Sequence, residues 1–216
     1  MPTVFVTGGT GFMGRNLIVE LVHRGYEIKA LVRHGSEHKL PHGCNAIHGD
    51  ALDKNSFASQ IPPAETFVQL VGVTHPNPSK KDEFRAVDLG SARAAIEAAR
   101  DAGVTHFVYV SVAQPAPVMK FYISVRAEVE QMIRESGMNA TILRPWYVLG
   151  PGRRWPLVLK PMYWLMKQFP ATRESAQRLG LVTIEQMVGA LVRSVENPAQ
   201  GVRILGVPEI RGKRGG

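Results

Sequence analysis

The chain has 216 residues, a length typical of one α/β domain, and its hydrophobic fraction of 44% and charged fraction of 20% are ordinary for a soluble globular protein. A formal net charge of +8 fits a nucleic acid, a membrane surface or a phosphorylated ligand. No DNA- or RNA-binding motif occurs, so we expect no nucleic-acid partner. The single cysteine, Cys44, excludes an intramolecular disulfide. We expect neither a signal peptide nor a membrane span, and a cytoplasmic location.

Apolar strand-like runs alternate with amphipathic helical patterns along the chain. This alternation predicts an α/β fold with a doubly wound parallel sheet, the Rossmann fold, whose two faces are covered by helices. In chain order, the predicted strands are Thr3–Thr7, Glu27–Val32, Ala46–His48, Thr66–Val71, His106–Ser111, Asn139–Leu143 and Val202–Val207. The predicted helices are Asn16–Arg24, Ser91–Asp101, Ser124–Ser136 and Thr183–Glu196.

A glycine-rich loop lies between the first strand and the first helix. It consists of Thr7, Gly8, Gly9, Thr10, Gly11, Phe12, Met13 and Gly14. The spacing Gly9-x-Gly11-x-x-Gly14 matches the dinucleotide fingerprint, in which glycines allow a tight turn, close approach to the pyrophosphate and close packing of helix on strand. The helix N-terminus then presents N–H groups and a positive dipole to the phosphates. The loop therefore predicts a bound dinucleotide.

The residue after the second strand predicts which dinucleotide is bound. Proteins that bind NAD usually have Asp or Glu about 20 residues beyond the loop, where it holds the ribose 2′-hydroxyl. Here Arg33 follows Gly14 by nineteen positions, and the first acidic residue after the second strand is Glu37. An arginine can pair with a 2′-phosphate, and Arg15 and His34 are further donors. We therefore predict NADP(H) rather than NAD(H), the alternative being that Arg33 is solvated or stacks on adenine without selecting.

Three further segments, together with the glycine loop, resemble the extended and atypical branch of the short-chain dehydrogenase/reductase superfamily, which includes NAD-dependent epimerase-like enzymes. They are Gly49-Asp50, the run 102–111, and the segment 143–152 with its Arg144-Pro145 and Gly-Pro-Gly sequences. The resemblance implies a cofactor site that also includes Asp50, Ala51, Leu70, Val71, Gly72, Pro145, Trp146, Tyr147 and Val148. The alternative for 70–72 is a simple strand terminus.

The resemblance also implies a domain organisation. One NAD(P)-binding domain covers 1–210, and 151–182 forms a reduced substrate-side region within it. Residues 211–216 are expected to form a flexible basic tail. The apolar segment Trp155–Met166 is open to three interpretations: a lid over an apolar substrate, plain core, or a contact with a membrane or partner.

The family's proton donor is the tyrosine of a Tyr-x-x-x-Lys motif, which Tyr122 matches with Arg126 in place of the lysine. A spacing of four residues places both side chains on one helix face. Arg126 keeps the positive charge but differs in size and geometry. Ser111 stands one place before the position of the family's serine, where this chain has Val112, so Ser111 is expected to point away from the substrate.

Three functions remain open from the sequence. One, suggested by Trp155–Met166, is a peripheral membrane or complex-assembly protein. The other two concern the candidate catalytic residues. Tyr122, Arg126 and Ser111 either serve an NADP(H)-dependent reductase that acts on an apolar carbonyl or quinone-like small molecule, or they are remnants in a non-catalytic NADP(H) sensor or scaffold. Four of the seven histidines lie between His34 and His48, but without a recognised ligand spacing, so no metal site is predicted. We expect a monomer or a homodimer.

Overall fold

The computed structural model describes residues 1–73, 77–116, 118–150 and 179–212. Seven parallel strands form one sheet in the order β3-β2-β1-β4-β5-β6-β9, and β7 and β8 pair separately. The prediction of a doubly wound parallel sheet is confirmed. The strands are β1 Thr3–Thr7, β2 Glu27–Val32, β3 Asn45–His48, β4 Thr66–Gln69, β5 His106–Val110, β6 Ala140–Leu143, β7 Tyr147–Leu149, β8 Leu181–Thr183 and β9 Val202–Leu205.

Helices pack on both faces of the sheet. They are α1 Phe12–His23, α2 Lys81–Glu83, α3 Gly90–Asp101, α4 Lys120–Glu135, α5 Ile184–Glu196 and α6 Val207–Ile210. A π-helical segment, Phe84–Leu89, joins α2 to α3. Short 3-10 turns cover Glu37–Lys39, Lys54–Ser56 and Ala58–Gln60.

The two cores follow the period-two alternation of the strands. In β1, Val4 and Val6 face the core shared with α1 and α5, whereas Phe5 faces the core shared with α3 and α4. Alanines line the buried side of α3, which lets that helix lie close to the sheet. Because every residue of β1 is buried, the strand is apolar on both sides apart from its terminal threonines.

Strand order places the switch point of the sheet between β1 and β4. The chain runs outward from β1 to β3 and then crosses back to β4, so β1 and β4 are neighbours and the connections that leave them diverge. In open α/β sheets, ligands bind outside the carboxyl ends of the strands at this switch point. The glycine loop follows β1 directly, and 70–72 follows β4.

Several predicted boundaries differ from the structure. Helix α1 begins at Phe12 rather than Asn16, and α4 begins at Lys120 rather than Ser124. Strand β4 ends at Gln69, so 70–72 lies beyond the sheet. The pairing of β7 with β8 and the π-helical segment were not predicted. The two elements that were not predicted are short or irregular, and tertiary contacts rather than a periodic sequence pattern stabilise them. The ends of longer elements commonly differ by a residue or two between assignments.

Two predicted regions near the C-terminus are described only in part. Trp155–Met166 lies outside the described residues, and of the predicted substrate-side region 151–182 the structure describes 179–182. Of the predicted tail, Arg211 and Gly212 are described. The Arg211 Nε atom donates a 2.9 Å hydrogen bond to the Leu181 carbonyl oxygen, so this arginine is attached to β8.

His106 is a buried titratable group at the amino end of β5, remote from the crevice. Its Nε2 atom lies 3.0 Å from Thr141 Oγ1, and its Nδ1 atom has no hydrogen-bond partner among the described residues. Burial, together with the smaller effect of the nearby Arg203 charge, lowers the pKa of His106 to about 4. The fold therefore holds this imidazole neutral.

We predict that His106 contributes to acid unfolding. Its folded-state pKa lies below the unfolded value of 6.5, so its contribution is complete above pH 6.5 and is lost as the pH falls toward 4. Replacing His106 with Gln should flatten the fall in urea-unfolding midpoint between pH 7 and pH 4.5. One linked proton changes the unfolding constant by at most about tenfold per pH unit.

The matched control is His42→Gln, which removes an exposed histidine and should leave the pH dependence as in the wild type. Equal slopes for His106→Gln and the wild type would refute this role for His106.

Candidate functional site

Close packing around Gly8 and Gly14 shapes the loop after β1. Gly8 has a φ of +72°, and a Cβ atom there would lie 2.8 Å from the backbone carbon of Leu70. A Cβ on Gly14 would collide with the Gly8 carbonyl oxygen and would lie 2.7 Å from Gly9 Cα. Both positions therefore require glycine, because any larger residue would separate α1 from the ends of β1 and β4.

The first turn of α1 is suited to an anion. Gly11 is its N-cap, with no side chain to cap the helix, and no acidic residue lies in the first turn. Gly11 N donates a 3.0 Å hydrogen bond to Gly8 O, which closes the turn. The backbone N–H groups and dipole of the helix N-terminus thus face the crevice, and this glycine cradle fits a dinucleotide pyrophosphate.

Arg33 and His34 lie beyond the carboxyl end of β2. Both side chains are exposed, and the Arg33 guanidinium makes no hydrogen bond or ion pair with the described residues. The His34 ring stacks on His48, with centroids 4.4 Å apart and planes 7° apart. Glu37 Oε1 lies 3.1 Å from His48 Nδ1 and also accepts a hydrogen bond from Gly35 N.

His34, Glu37 and His48 bring their candidate ligand atoms within 4.8 Å of one another. A metal ion lies close to the plane of each imidazole that binds it, because the nitrogen lone pair is in that plane. Two nearly parallel rings in separate planes do not direct their lone pairs to one point. The cluster is therefore a contact between the Glu37 carboxylate and the His48 imidazole, with the His34 ring stacked on it.

Asp50 follows β3, and hydrogen bonds with Leu52 and Ser56 fix its orientation. Its Oδ1 atom accepts a 3.0 Å hydrogen bond from Leu52 N, and its backbone N–H donates to Ser56 Oγ. A Cβ on the preceding Gly49 would lie 2.9 Å from Ser56 Oγ. Ala51 is half-buried beside this turn.

The backbone of 70–72 passes between the glycine loop and helix α4. Leu70 contacts the Gly8 position on one side. On the other side, a Cβ on Gly72 would lie 2.5 Å from Arg126 Nη2 and 3.1 Å from Asp88 Oδ1. Gly72 therefore lets the chain approach this charged pair, and the structure brings 70–72, the cradle and Arg126 into one continuous site.

Arg126 is buried and is held by three partners. Its Nη2 donates to Asp88, and its Nη1 lies 3.0 Å from both the Tyr109 hydroxyl and the Val110 carbonyl oxygen. Although burial alone favours the neutral form, the neighbouring Tyr109, Tyr122 and Asp88 raise the pKa of Arg126. Burial raises the pKa of Asp88, while the Arg126 charge opposes that rise. The arginine thus remains cationic.

Tyr122 lies one helical turn before Arg126 on α4. Its ring centroid is 5.1 Å from Arg126 Cζ and 4.9 Å from the ring of Phe84, which is tilted by 54°. The hydroxyl makes no hydrogen bond with the described residues. These contacts fix the ring and leave its hydroxyl available to a ligand.

Ser111 points into the fold. Its Oγ donates a 2.6 Å hydrogen bond to Glu130 Oε1, and the side chain is 4% exposed. Glu130 also pairs with Arg144, whose Nε lies 2.9 Å away, and it accepts from Gln114 Nε2. This buried carboxylate, which the sequence analysis did not identify, joins α4 to the ends of β5 and β6.

The segment after β6 packs against the loop after β5 and against the first turn of α1. Ala113 N donates a 2.9 Å hydrogen bond to the Pro145 carbonyl oxygen, and Trp146 and Val148 pack against the core that contains α1. Tyr147 begins β7. A Cβ on Gly150 would collide with the ring of Phe12, so the end of this segment rests against the first turn of α1.

Asp88, Tyr109 and Glu130 were not predicted as site residues. Asp88 lies in an irregular helical segment, and Tyr109 fits the apolar pattern of an ordinary buried strand. Only the spacing of Tyr122, Arg126 and Glu130 along one row of α4 signals that a polar row is buried.

Comparison with known proteins assigns the family. The family model described as NAD(P)H-binding matches residues 8–155, and the chain belongs to this family. A ceramide reductase of Caulobacter vibrioides is 27% identical over 201 residues, which cover 92% of this chain and 62% of that protein. The photosystem II assembly factor Ycf39 of Trieres chinensis is 27% identical over 146 residues, which cover 66% of this chain and 44% of its own length. The chain thus spans less than two thirds of either relative.

Solved structures share the fold. The structure of MoeE5 with UDP-glucuronic acid and NAD matches with a TM-score of 0.73 and 21% identity, covering 95% of this chain and 76% of that one. Together with the family-model match, this shared fold confirms the resemblance to short-chain dehydrogenase/reductase-like proteins. Within the described ranges, no helix combines the length and the apolar character needed to cross a bilayer.

We predict different outcomes for alanine at two glycines of the cradle. Gly14→Ala should lower the melting temperature of the cofactor-free protein by several degrees, because its Cβ collides with Gly8 backbone. Gly11→Ala should lower that temperature clearly less, since Gly11 has a φ of −77° and its Cβ would make a tight contact, 3.2 Å from the Gly8 carbonyl oxygen, rather than a collision. Thermal unfolding followed by circular dichroism measures both, and equal melting temperatures would contradict the packing argument.

Proposed function

We propose that the protein is an NADP(H)-dependent reductase that delivers hydride to a carbonyl or quinone-like group of an apolar small molecule. The observation that carries this proposal is the continuity of the site. The glycine cradle contacts Leu70, Gly72 contacts Arg126, and Arg126 contacts Tyr122. A cofactor held in the cradle and passing over 70–72 would therefore end beside Tyr122.

Tyr122 is the proton donor in this proposal. When bound, the nicotinamide ring supplies the hydride to the carbonyl carbon. The Tyr122 hydroxyl donates a hydrogen bond to the carbonyl oxygen and transfers its proton as negative charge develops there. Contacts with Phe84 and Arg126 hold the ring in place, so little reorganisation is needed at that moment.

Arg126 and Ser111 have supporting roles in this mechanism. The Arg126 guanidinium is occupied by Asp88, Tyr109 and Val110, so it positions Tyr122 and supplies a nearby positive charge rather than reaching for a ribose. Ser111 is occupied by Glu130 and serves packing. The proton transfer thus relies on one side chain where the family's pattern uses several.

A non-catalytic NADP(H) sensor or scaffold is the second candidate. The buried Arg126 and the inward Ser111 favour it, because both depart from the expected catalytic arrangement. One relative being an assembly factor is consistent with it. The reductase is preferred because Tyr122 keeps an available hydroxyl, and because another relative is a ceramide reductase.

The choice of NADP(H) rests on Arg33, and its replacement tests that choice. Arg33→Asp should weaken NADPH binding by 10-fold or more, roughly the loss of one charge-assisted phosphate contact, and should change NADH binding less than about threefold. Isothermal titration calorimetry with each cofactor measures both constants. Arg100→Asp is the matched control, since it makes the same charge change on an exposed residue at the far end of α3.

Wild-type protein that binds NADH more tightly than NADPH would contradict the assignment. So would an equal loss of affinity for the two cofactors in Arg33→Asp, because that result would give Arg33 no role at the 2′-position.

Removing the Tyr122 hydroxyl distinguishes the reductase hypothesis from the sensor hypothesis. Tyr122→Phe should lower the rate of carbonyl reduction by 100-fold or more while leaving the dissociation constant of NADPH within about twofold. Turnover is followed by NADPH absorbance across a panel of apolar ketones and quinones. Tyr26→Phe, at the opposite end of the sheet, is the control. Undiminished turnover in Tyr122→Phe would exclude the tyrosine mechanism, and no turnover by wild type across the panel would favour the sensor.

A further inference from the structure

A small charged cluster lies where β2 and β3 end side by side. Val32 pairs with His48 in the sheet register, and Gly49 N donates a 3.1 Å hydrogen bond to the Val32 carbonyl oxygen. Consequently the residue after β2, Arg33, and the last residue of β3, His48, emerge at the same edge. His34 stacks on His48, and Glu37 lies within 3.1 Å of the His48 Nδ1 atom.

The cluster is attached to the glycine cradle. Glu37 belongs to the 3-10 turn that Leu40 caps, and the side chain of Leu40 lies 3.2 Å from where a Cβ on Gly9 would be. A dinucleotide in the cradle places its adenosine ribose near the end of β2. The 2′-position of that ribose is therefore the part of the cofactor nearest to the cluster.

The cluster contains both of the groups that select between cofactors. Arg33 is suited to a 2′-phosphate, whereas a carboxylate such as Glu37 accepts from a 2′-hydroxyl and repels a phosphate. Hydrogen bonds from the backbone N–H groups of Glu37 and Gly35, together with His48 and His34, lower the pKa of Glu37. Its negative charge must then be balanced before a phosphate can bind beside it.

We propose that the Glu37–His48 pair determines cofactor specificity, His48 neutralising the carboxylate when it takes up a proton. This inference rests on the proposed binding of NADP(H). With His48 protonated, the pair carries no net charge and Arg33 faces the 2′-phosphate. When His48 is neutral, its Nδ1–H still donates to Glu37, but the pair is anionic and favours a 2′-hydroxyl.

Other charged groups lie in the segments that flank the pair. Arg33, His38 and Lys39 come from the segment after β2, Asp50 comes after β3, and Arg15 is exposed on the first turn of α1. Asp50 is partly satisfied by Leu52 N. Glu37 and His48 contact each other directly, so exchanging either one should change the selection more than exchanging its neighbours.

The experiment measures binding of NADPH and NADH to the full chain at pH 6.5 and pH 8.5 by calorimetry. Wild type should bind NADPH about fivefold more tightly at pH 6.5, with NADH changing little. Glu37→Gln should tighten NADPH about fivefold at pH 8.5 and remove most of that pH dependence. His48→Gln should weaken NADPH at pH 6.5, and the double variant should restore the affinity, because no carboxylate then remains to be neutralised.

Proton uptake gives a readout that a purely structural role would not change. At pH 7.5, titrations in buffers of different ionisation enthalpy should show net proton uptake with NADPH but not with NADH, and His48→Gln should reduce it. His42→Gln and Glu135→Gln are matched controls from exposed positions outside the cluster.

The outcomes distinguish this inference from the proposed function. If wild type binds NADPH selectively but Glu37→Gln and His48→Gln leave the selectivity and proton uptake unchanged, the pair has no such role and the proposed cofactor stands. If NADPH does not bind, or binds no better than NADH in wild type at either pH, the proposed function and this inference both fail.

Discussion

The close approach of α1 to the ends of β1 and β4 is the constraint on which the site depends. Two glycines allow it, since a side chain at Gly8 would meet Leu70 backbone and one at Gly14 would meet Gly8. This approach places the positive end of the helix dipole at the switch point of the sheet, which is where open α/β sheets bind ligands. Backbone geometry therefore supplies the affinity for a diphosphate, and side chains are left to select among the ligands that contain one.

Helix α4 brings the second half of the site to the same edge. Tyr122, Arg126 and Glu130 are spaced four residues apart, and each contacts a different neighbour: Phe84, the end of β5, and Arg144 after β6. Burying two ionised groups is unfavourable unless each is paired, and here both are. The charged row acts less as a source of stability than as a means of fixing the rotation of α4, which in turn fixes where the Tyr122 hydroxyl points.

Much of this arrangement could be predicted from the sequence, for physical reasons. Apolar runs with a period of two specify the sheet, and a strand–glycine loop–helix order specifies the cradle. The start of α1 was predicted four residues late, because Phe12-Met13-Gly14 has weak helical propensity and is held by packing. The partners of Arg126 and Glu130 could not be predicted, since Asp88 and Arg144 are distant in sequence and only the fold brings them close. The spacing of Tyr122 and Arg126 indicated a shared helix face but not that the arginine would be buried.

The contact between Phe12 and Gly150 has an evolutionary consequence. The ring of Phe12 fills the space that any side chain at position 150 would need, although the two residues are 138 positions apart. Substitutions at these positions are therefore not independent: a larger residue at 150 requires either that the Phe12 ring moves or that position 12 becomes smaller. Among homologous sequences, residue sizes at these two positions should vary in opposite directions, because the cofactor loop and the segment after β6 pack tightly against each other.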